Sequence, residues 1–126
     1  TSTLKSAGLS SQKVSYLKNL SYAFINKKLK TKLWSKMGDE EIISDLIQIK
    51  GIGRWTAEMF LIFNLCRADI FPLDDIGMIK GLCKIYNLKY PIERKKLIKI
   101  GNKWKPYRSV ATWYLWRSLD PIPVEY

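Results

Sequence analysis

The sequence predicts an all-α fold, and three observations support this prediction. Apolar residues recur three and four positions apart, a spacing that gathers them on one face of a helix. No segment shows the sustained alternation of apolar and polar residues that is typical of a half-buried strand. Prolines and glycines divide the chain into segments of helical length, and we find neither internal repeats nor low-complexity stretches.

The composition is that of a small, basic, globular chain. Its 126 residues suffice for one domain with a modest core, and an apolar content of 47% argues against disorder. Basic residues number 22 against 11 acidic ones, and the net charge of +11 favours a polyanionic partner. A generally lysine-rich proteome would give the same charge, since lysines far outnumber arginines. No segment has the layout of a membrane span or a secretory signal, so we expect no membrane association.

The sequence excludes several kinds of catalytic site. It contains no histidine and only two cysteines, Cys66 and Cys83. This rules out Ser-His-Asp and Cys-His catalysis, four-cysteine zinc sites and iron–sulfur clusters. We expect both thiols to be reduced and buried in the core. Any chemistry therefore depends on carboxylates, lysine, tyrosine or backbone groups.

The first part of the chain predicts a loop and two helices. Residues 1–9 are expected to form an N-terminal loop, and a helix capped by Ser10 or Ser11 runs to about Lys28. Its buried face is predicted to comprise Val14, Leu17, Leu20 and Phe24. Asp39 is predicted to cap the second helix. The buried face of that helix is predicted to comprise Ile42, Ile43, Leu46 and Ile47.

The second part predicts further helices. One runs from Arg54 to about Leu65, with Trp55, Met59 and Ile62 on one face and Phe60 and Phe63 directed elsewhere. Pro72 interrupts the chain before a helix that begins at Asp74 or Asp75. Pro91 and Pro106 open the last helices, which end near Gly101 and Leu119. We assign residues 10–119 to the helical core and residues 120–126 to a C-terminal tail.

The loop Lys50-Gly51-Ile52-Gly53 organises the chain. Glycines let the backbone N–H groups of a loop approach another molecule closely. The loop also precedes a helix, whose first N–H groups and dipole favour an anion. Because Arg54 follows directly and the chain is basic, phosphate is the predicted anion.

A pair of carboxylates follows later in the sequence, in Pro72-Leu73-Asp74-Asp75. A carboxylate at a helix N-terminus is kept ionised by the dipole and by nearby N–H groups. Such a group either caps the helix or stabilises positive charge that develops in a reaction. On the residues alone, Asp74 and Asp75 are both candidates for either role.

These stretches resemble the helix-hairpin-helix DNA glycosylases. LIQIKGIGRWTAEMF, from Leu46 to Phe60, resembles their hairpin, and FPLDDIGMIK, from Phe71 to Lys80, resembles the loop that leads to their catalytic aspartate. WKPYRS, which starts at Trp104, resembles the alkylated-base branch, 3-methyladenine DNA glycosylase II. The resemblance extends over residues 9–119, and the three elements occur in the family's order.

The resemblance implies a monofunctional DNA glycosylase of base excision repair, which hydrolyses the N-glycosidic bond of alkylated purines such as 3-methyladenine. It favours Asp75 over Asp74 as the group that stabilises the sugar cation and orients or deprotonates the attacking water. Family members that also cut the backbone carry a lysine at the position of Trp55, whose amine forms a Schiff base. A tryptophan cannot do so, and no lyase activity is expected.

The resemblance also implies a pocket for the flipped base. Trp55 and Trp116 would wall this pocket, because aromatic rings attract an electron-poor, cationic base. Met59 stands where relatives often have an aromatic residue. Packing in the core is the alternative interpretation of all three side chains.

Phosphate and cation sites follow from the same resemblance. Gly51, Gly53 and Arg54 are expected to bind DNA phosphate. Lys50 and Lys80 are further candidates, with solvated charges as the alternative. No cofactor is required, but relatives hold a monovalent cation, Na⁺ or K⁺, beneath the hairpin. By position its ligands would be the backbone carbonyls of Ile47, Ile49 and Ile52.

The expected partner is double-stranded DNA with alkylated bases, bound by a monomer in the cytoplasm near the nucleoid of a bacterium or in a eukaryotic nucleus. The basic run Lys27, Lys28, Lys30 and Lys32 is either a solvated connector or part of a DNA-facing rim. Relatives carry a long preceding region that includes the side chain wedged into the duplex. We therefore expect an N-terminal part to be missing. The alternative function is a non-catalytic helix-hairpin-helix DNA-binding module or an inactive fragment.

Overall fold

The computed structural model describes residues 2–121, and all regular secondary structure within them is helical. The predicted all-α class is confirmed. No helix of this described part combines the length and apolar character that a membrane span requires. The elements are α1 Ser2–Ser6, α2 Ser11–Ile25, a 3₁₀ helix Thr31–Lys36, α3 Asp39–Ile47, α4 Arg54–Phe63, α5 Ile76–Ile85, α6 Arg94–Asn102 and α7 Arg108–Arg117. The chain divides into two compact units, Thr1–Ala57 and Glu58–Tyr126.

The predicted N-terminal loop needs correction, whereas the predicted cap of α2 is confirmed. The loop predicted for residues 1–9 is wrong in part, because Ser2–Ser6 form α1. Ser10 caps α2 as expected, with its hydroxyl accepting a hydrogen bond from the N–H of Lys13 at 3.2 Å. Residues 122–126 of the predicted tail lie outside the described residues.

The buried face of α2 differs from the prediction. Val14 and Ala23 are buried, whereas Leu17 and Phe24 are 41% and 48% exposed. The helix turns Tyr16 and Asn19 toward the loop after α3: the ring of Tyr16 lies against Gly51, and the Asn19 amide donates to the carbonyl of Lys50 at 3.3 Å. The prediction is thus confirmed for Val14 and wrong for Leu17 and Phe24, and the apolar pattern did not reveal the partly polar face that contacts the loop.

The start and the buried face of α3 also need correction. Gly38, not Asp39, is the N-cap, because the Glu41 carboxylate reaches back and accepts from the N–H of Gly38 at 2.6 Å. Ile42, Ile43 and Leu46 are buried as predicted. Ile47, the last helical residue, is 46% exposed.

The buried carboxylate of Asp45 holds the segment between α2 and α3, which contains a 3₁₀ helix that was not predicted. Asp45 accepts hydrogen bonds from the N–H of Lys30 and from the indole of Trp34, both at 2.8 Å. Its other oxygen accepts from the Gln48 amide at 3.0 Å. Such bonds offset the cost of burying a charged group.

The core of the second unit gathers α5, α6 and α7. It comprises Phe71, Met78, Leu82, Leu97, Ile100 and Leu115. Gly81 allows α5 and α7 to approach closely, because a Cβ at this position would collide with the carbonyl of Leu115. Trp104 contacts Phe71 edge-on, at 5.9 Å between ring centroids and 88° between planes, and so packs against this core.

The boundaries of the helices in this unit are shifted. α4 ends at Phe63 rather than near Leu65, because the chain leaves the helix through Cys66, whose φ of 51° is left-handed. Cys66 is exposed, so its predicted burial is wrong, whereas Cys83 is buried as expected. Pro91 and Pro106 precede α6 and α7 instead of lying within their first turns.

Candidate active site and hairpin loop

Asp75 lies at the start of α5 in an almost closed environment, 9% exposed. Its Oδ1 accepts a hydrogen bond from the backbone N–H of Met78 at 2.6 Å, and so it caps the helix. The same oxygen accepts from the indole N–H of Trp116 at 2.8 Å. These two donors fix the position of the carboxylate.

Trp116 is in turn held by Phe63. The two rings are nearly parallel, with an interplanar angle of 11° and 5.8 Å between centroids. Trp116 also packs against the core of the second unit. Trp116 is therefore in direct contact with the candidate catalytic carboxylate, a role that the sequence did not suggest.

Phe63 and Gly77 are the residues of this site that sequence reasoning missed. Phe63 was predicted to lie on a different face of α4 from Trp55 and Met59, and its stacking on Trp116 was not predicted. A signal was present, since Phe63 follows Met59 by one helical turn. Gly77 leaves space beside the carboxylate: a Cβ there would lie 3.3 Å from Oδ1 of Asp75 and 3.4 Å from Cδ1 of Trp116.

Asp74 occupies a different environment from its neighbour. Its Oδ1 accepts from Nη1 of Arg94 at 2.9 Å, and both side chains are 60% exposed. An exposed pair of this kind contributes about 0–1 kcal/mol. Of the two candidate carboxylates, only Asp75 combines burial, a helix N-terminus and an aromatic donor.

The two other predicted pocket residues are on α4. Trp55 belongs to the first unit and is 49% exposed, whereas Met59 belongs to the second unit and is partly buried. Their contribution to a base pocket stays a prediction.

The hairpin loop contains two glycines in different environments. Gly51 has a φ of 104°, and a Cβ on it would collide with the ring of Tyr16. Gly53 directly precedes α4, and a Cβ on it would have no neighbouring atom within 4 Å. Ile52 donates to the carbonyl of Ile49 at 3.0 Å, which closes the turn. One glycine is thus required by the fold, and the other leaves the loop open to solvent.

Arg54, the first residue of α4, forms a two-pronged pair with Glu40. Its Nη2 and Nη1 donate to the two carboxylate oxygens at 2.5 and 2.9 Å. Hydrogen bonding from Arg54 lowers the pKa of Glu40, against an opposing effect of partial burial. The predicted phosphate contact of Arg54 stays a prediction, and the bound carboxylate weakens its attraction for an anion.

The predicted cation site depends on main-chain oxygens. No group of histidine, cysteine or acidic side chains within residues 2–121 is arranged to hold a metal ion. The carbonyl of Ile49 accepts one hydrogen bond, from Ile52, and a carbonyl oxygen has a second lone pair for a cation. A monovalent ion on the carbonyls of Ile47, Ile49 and Ile52 stays a prediction.

Comparisons with known proteins place the chain in a family. No protein-family model matches it. DNA-3-methyladenine glycosylase 1 of Schizosaccharomyces pombe is 37% identical over 116 residues, which are 91% of this chain and 51% of that protein. DNA-3-methyladenine glycosylase of Saccharomyces cerevisiae is 35% identical, over 87% of this chain and 47% of that protein. The chain spans about half the length of these curated relatives.

Solved structures agree with the sequence relatives. The S. pombe 3-methyladenine DNA glycosylase, determined in complex with abasic DNA, matches with a TM-score of 0.81 at 36% identity, over 90% of this chain and 55% of that one. A DNA-3-methyladenine glycosidase from Bacillus halodurans matches with a TM-score of 0.80 at 35% identity, over 91% and 53% of the two chains. The chain belongs to the helix-hairpin-helix DNA glycosylase family and corresponds to about half of its 3-methyladenine glycosylase members.

Proposed function

We propose that the protein is a monofunctional DNA glycosylase that hydrolyses the N-glycosidic bond of alkylated purines such as 3-methyladenine. The observation that carries this proposal is the buried carboxylate of Asp75, fixed by Met78 and Trp116 at the start of α5. The names of its relatives support the same reaction. The substrate is double-stranded DNA, bound by a monomer in the compartment that holds the genome.

Cleavage of the bond between base and sugar develops positive charge on the sugar. A fixed, ionised carboxylate stabilises that charge without having to reorganise during the reaction. Because Met78 and Trp116 both donate to Oδ1 of Asp75, the carboxylate keeps its orientation toward the reacting sugar and water. Alkylated purines are cationic and leave readily, so the mechanism makes little demand on a general acid.

Base and backbone are bound by different groups in this proposal. Trp55, Met59 and Trp116 contact the flipped base, with the aromatic rings attracting its positive charge. Gly51, Gly53 and Arg54 contact a DNA phosphate. A monovalent cation on the carbonyls of Ile47, Ile49 and Ile52 would supply positive charge beneath that loop.

The experiment uses the complete protein and duplex DNA that contains 3-methyladenine or 7-methylguanine. We expect release of the free base and abasic strands that remain intact until alkali is added. Borohydride is expected to trap no covalent adduct, because Trp55 provides no amine. DNA binding without base release would instead identify a non-catalytic binding module, and a trapped adduct would show that a lysine acts as nucleophile.

A further inference from the structure

The lysine connector, defined as Lys27, Lys28, Lys30 and Lys32, has no part in the proposed reaction. It links α2 to the 3₁₀ helix, and all four lysines are exposed. The sequence left open whether this run is only a solvated connector or part of a DNA-facing surface. Its position relative to the hairpin loop decides between these interpretations.

The connector adjoins the hairpin loop within the first unit. Lys28 and Lys50 line one cavity of about 240 Å³, together with Asn19, Tyr22 and Gln48. Lys50 is the first residue of the loop, and Asn19 binds its carbonyl. The connector thus supplies a cation directly beside the loop that is proposed to grip a phosphate.

The basic surface continues away from the loop. A second hollow of about 280 Å³ is lined by both Lys28 and Lys30. A third, of about 220 Å³, is lined by Lys27, Lys30 and Lys32. Shared lysines join successive hollows, so the surface forms a continuous track of cations that begins at the hairpin.

The backbone of this track is held in place. The N–H of Lys30 is bound to the buried carboxylate of Asp45, and the side chain of Leu29 is 5% exposed. Lys28 extends its ammonium over the ring of Tyr22, 4.9 Å from the centroid. Two carboxylates, Glu41 and Asp45, also line the second hollow, and each accepts a hydrogen bond from a main-chain N–H, of Gly38 and Lys30 respectively. The main chain that carries these lysines is therefore already held by the bond to Asp45 and by the burial of Leu29 before an anion binds.

Lys27 occupies an unfavourable conformation for a lysine. Its φ of 52° is left-handed, at the position after a helix where glycine is preferred. A left-handed conformation is unfavourable for a residue with a Cβ. Glycine at this position would relieve the strain and remove the charge, which makes Lys27→Gly a substitution that separates charge from stability.

We propose that the lysine connector is a second DNA-backbone contact, which binds phosphates next to the one at the hairpin loop. The proposal rests on the proposed function only in taking DNA as the partner. Phosphate contacts of this kind position the protein and do not read sequence. The connector would therefore contribute to binding of damaged and undamaged duplex equally.

The test measures the affinity of the 126-residue chain for an undamaged duplex at several salt concentrations. The variant carries Lys27→Gly, Lys28→Gln, Lys30→Gln and Lys32→Gln. If each lysine neutralises one phosphate, the slope of log K against log salt should become shallower by about 0.9 for each, or about 3.6 in total. The control variant carries Lys95→Gln, Lys96→Gln, Lys99→Gln and Lys103→Gln, four exposed lysines in and next to α6, and has the same net charge.

The outcomes are distinguishable. A change confined to the connector variant supports the proposal, and Lys27→Gly alone should reduce the slope without lowering the melting temperature. Equal changes in both variants would show an effect of net charge alone and would overturn the proposal. An unchanged slope in the connector variant, with Gly53→Ala still weakening binding, would overturn the connector contact and leave the proposed function intact. A parent chain that does not bind DNA would also overturn the connector contact, whereas base release by the complete protein decides the proposed function separately.

Discussion

The first turns of α4 and α5 differ in what lies next to their unpaired N–H groups. A helix N-terminus presents N–H groups and a partial positive charge, and an anion there is stabilising. At α5 the chain supplies its own anion, the buried carboxylate of Asp75. At α4 the preceding residue is Gly53, which has no side chain and lies beside open space. An external anion therefore has room to approach the start of α4, whereas the start of α5 already carries its own anion.

The largest effect is expected for Asp75→Asn, which removes the internal anion of α5. The amide keeps the shape and can still cap the helix, so the melting temperature and binding to abasic-site DNA should change little. Loss of the charge should slow single-turnover excision at least about 100-fold, by analogy with removing one preorganised electrostatic group.

The control for this substitution is Asp74→Asn, the exposed neighbour paired with Arg94. It should leave the excision rate close to that of the parent. A slow Asp74→Asn variant together with a normal Asp75→Asn variant would mean that the wrong carboxylate has been chosen, and two normal variants would contradict the mechanism.

Substitutions of Gly51 and Gly53 test the loop that precedes α4. Gly51→Ala places a Cβ at a φ of 104° and against the ring of Tyr16. The left-handed conformation alone should lower the free energy of unfolding by about 1–2 kcal/mol, and the collision adds to this. Thermal or urea unfolding measures the loss.

Gly53→Ala should instead leave stability within about 0.5 kcal/mol, because no atom lies near the added methyl. The methyl would keep a phosphate away from the loop and weaken binding to every duplex by about 0.5–1.5 kcal/mol, as for one lost hydrogen bond. Unchanged affinity would show that α4 does not receive the phosphate.

Trp116→Phe tests the hydrogen bond that fixes Asp75 at the start of α5. Phenylalanine keeps a ring that can stack on Phe63 but cannot donate to Oδ1 of Asp75. Excision should slow about tenfold, which corresponds to about 1.4 kcal/mol and to one lost hydrogen bond to a charged group. Trp104→Phe is the matched control, since Trp104 packs against the same core on the side of Phe71. It should affect stability without a specific loss of excision.

The sequence predicted features that depend on residue type and order. The helical class came from periodicity, and the cap at Ser10 or Ser11 came from side-chain chemistry at a helix start. The choice of Asp75 over Asp74 came from the family resemblance and stays a prediction. Each depends on a short stretch of chain. Such local signals remain visible in one sequence without knowledge of what packs against them.

The features that could not be predicted depend on long-range contacts. The donation from Trp116 to Asp75 joins residues 41 positions apart, and nothing near Trp116 marks its partner. The contact of α2 with the hairpin loop was missed because Tyr16 and Asn19 make it through a ring and an amide. Hydrophobic periodicity does not record contacts of this kind.

The start of α7 shows a third arrangement, in which the anion comes from a distant residue. Asp69 accepts from the backbone N–H of Arg108 at 3.2 Å and from its guanidinium at 2.7 and 2.9 Å. Hydrogen bonding from the Arg108 side chain lowers the pKa of Asp69, against the opposing effect of partial burial. Because the folded pKa is depressed, the stabilisation is present above the unfolded pKa and is lost as pH falls through the folded value.

The smallest effect is therefore expected for Asp69→Asn, and it should depend on pH. At pH 7 the variant should unfold at a lower temperature than the parent, because the charged partner of Arg108 is lost. The difference should shrink once pH falls below about 4, the ordinary pKa of an aspartate, as the parent protonates the same carboxylate. Melting curves of both proteins between pH 7 and pH 3 measure this. A difference that is constant over the range would show that the charge of Asp69 does not fix the start of α7.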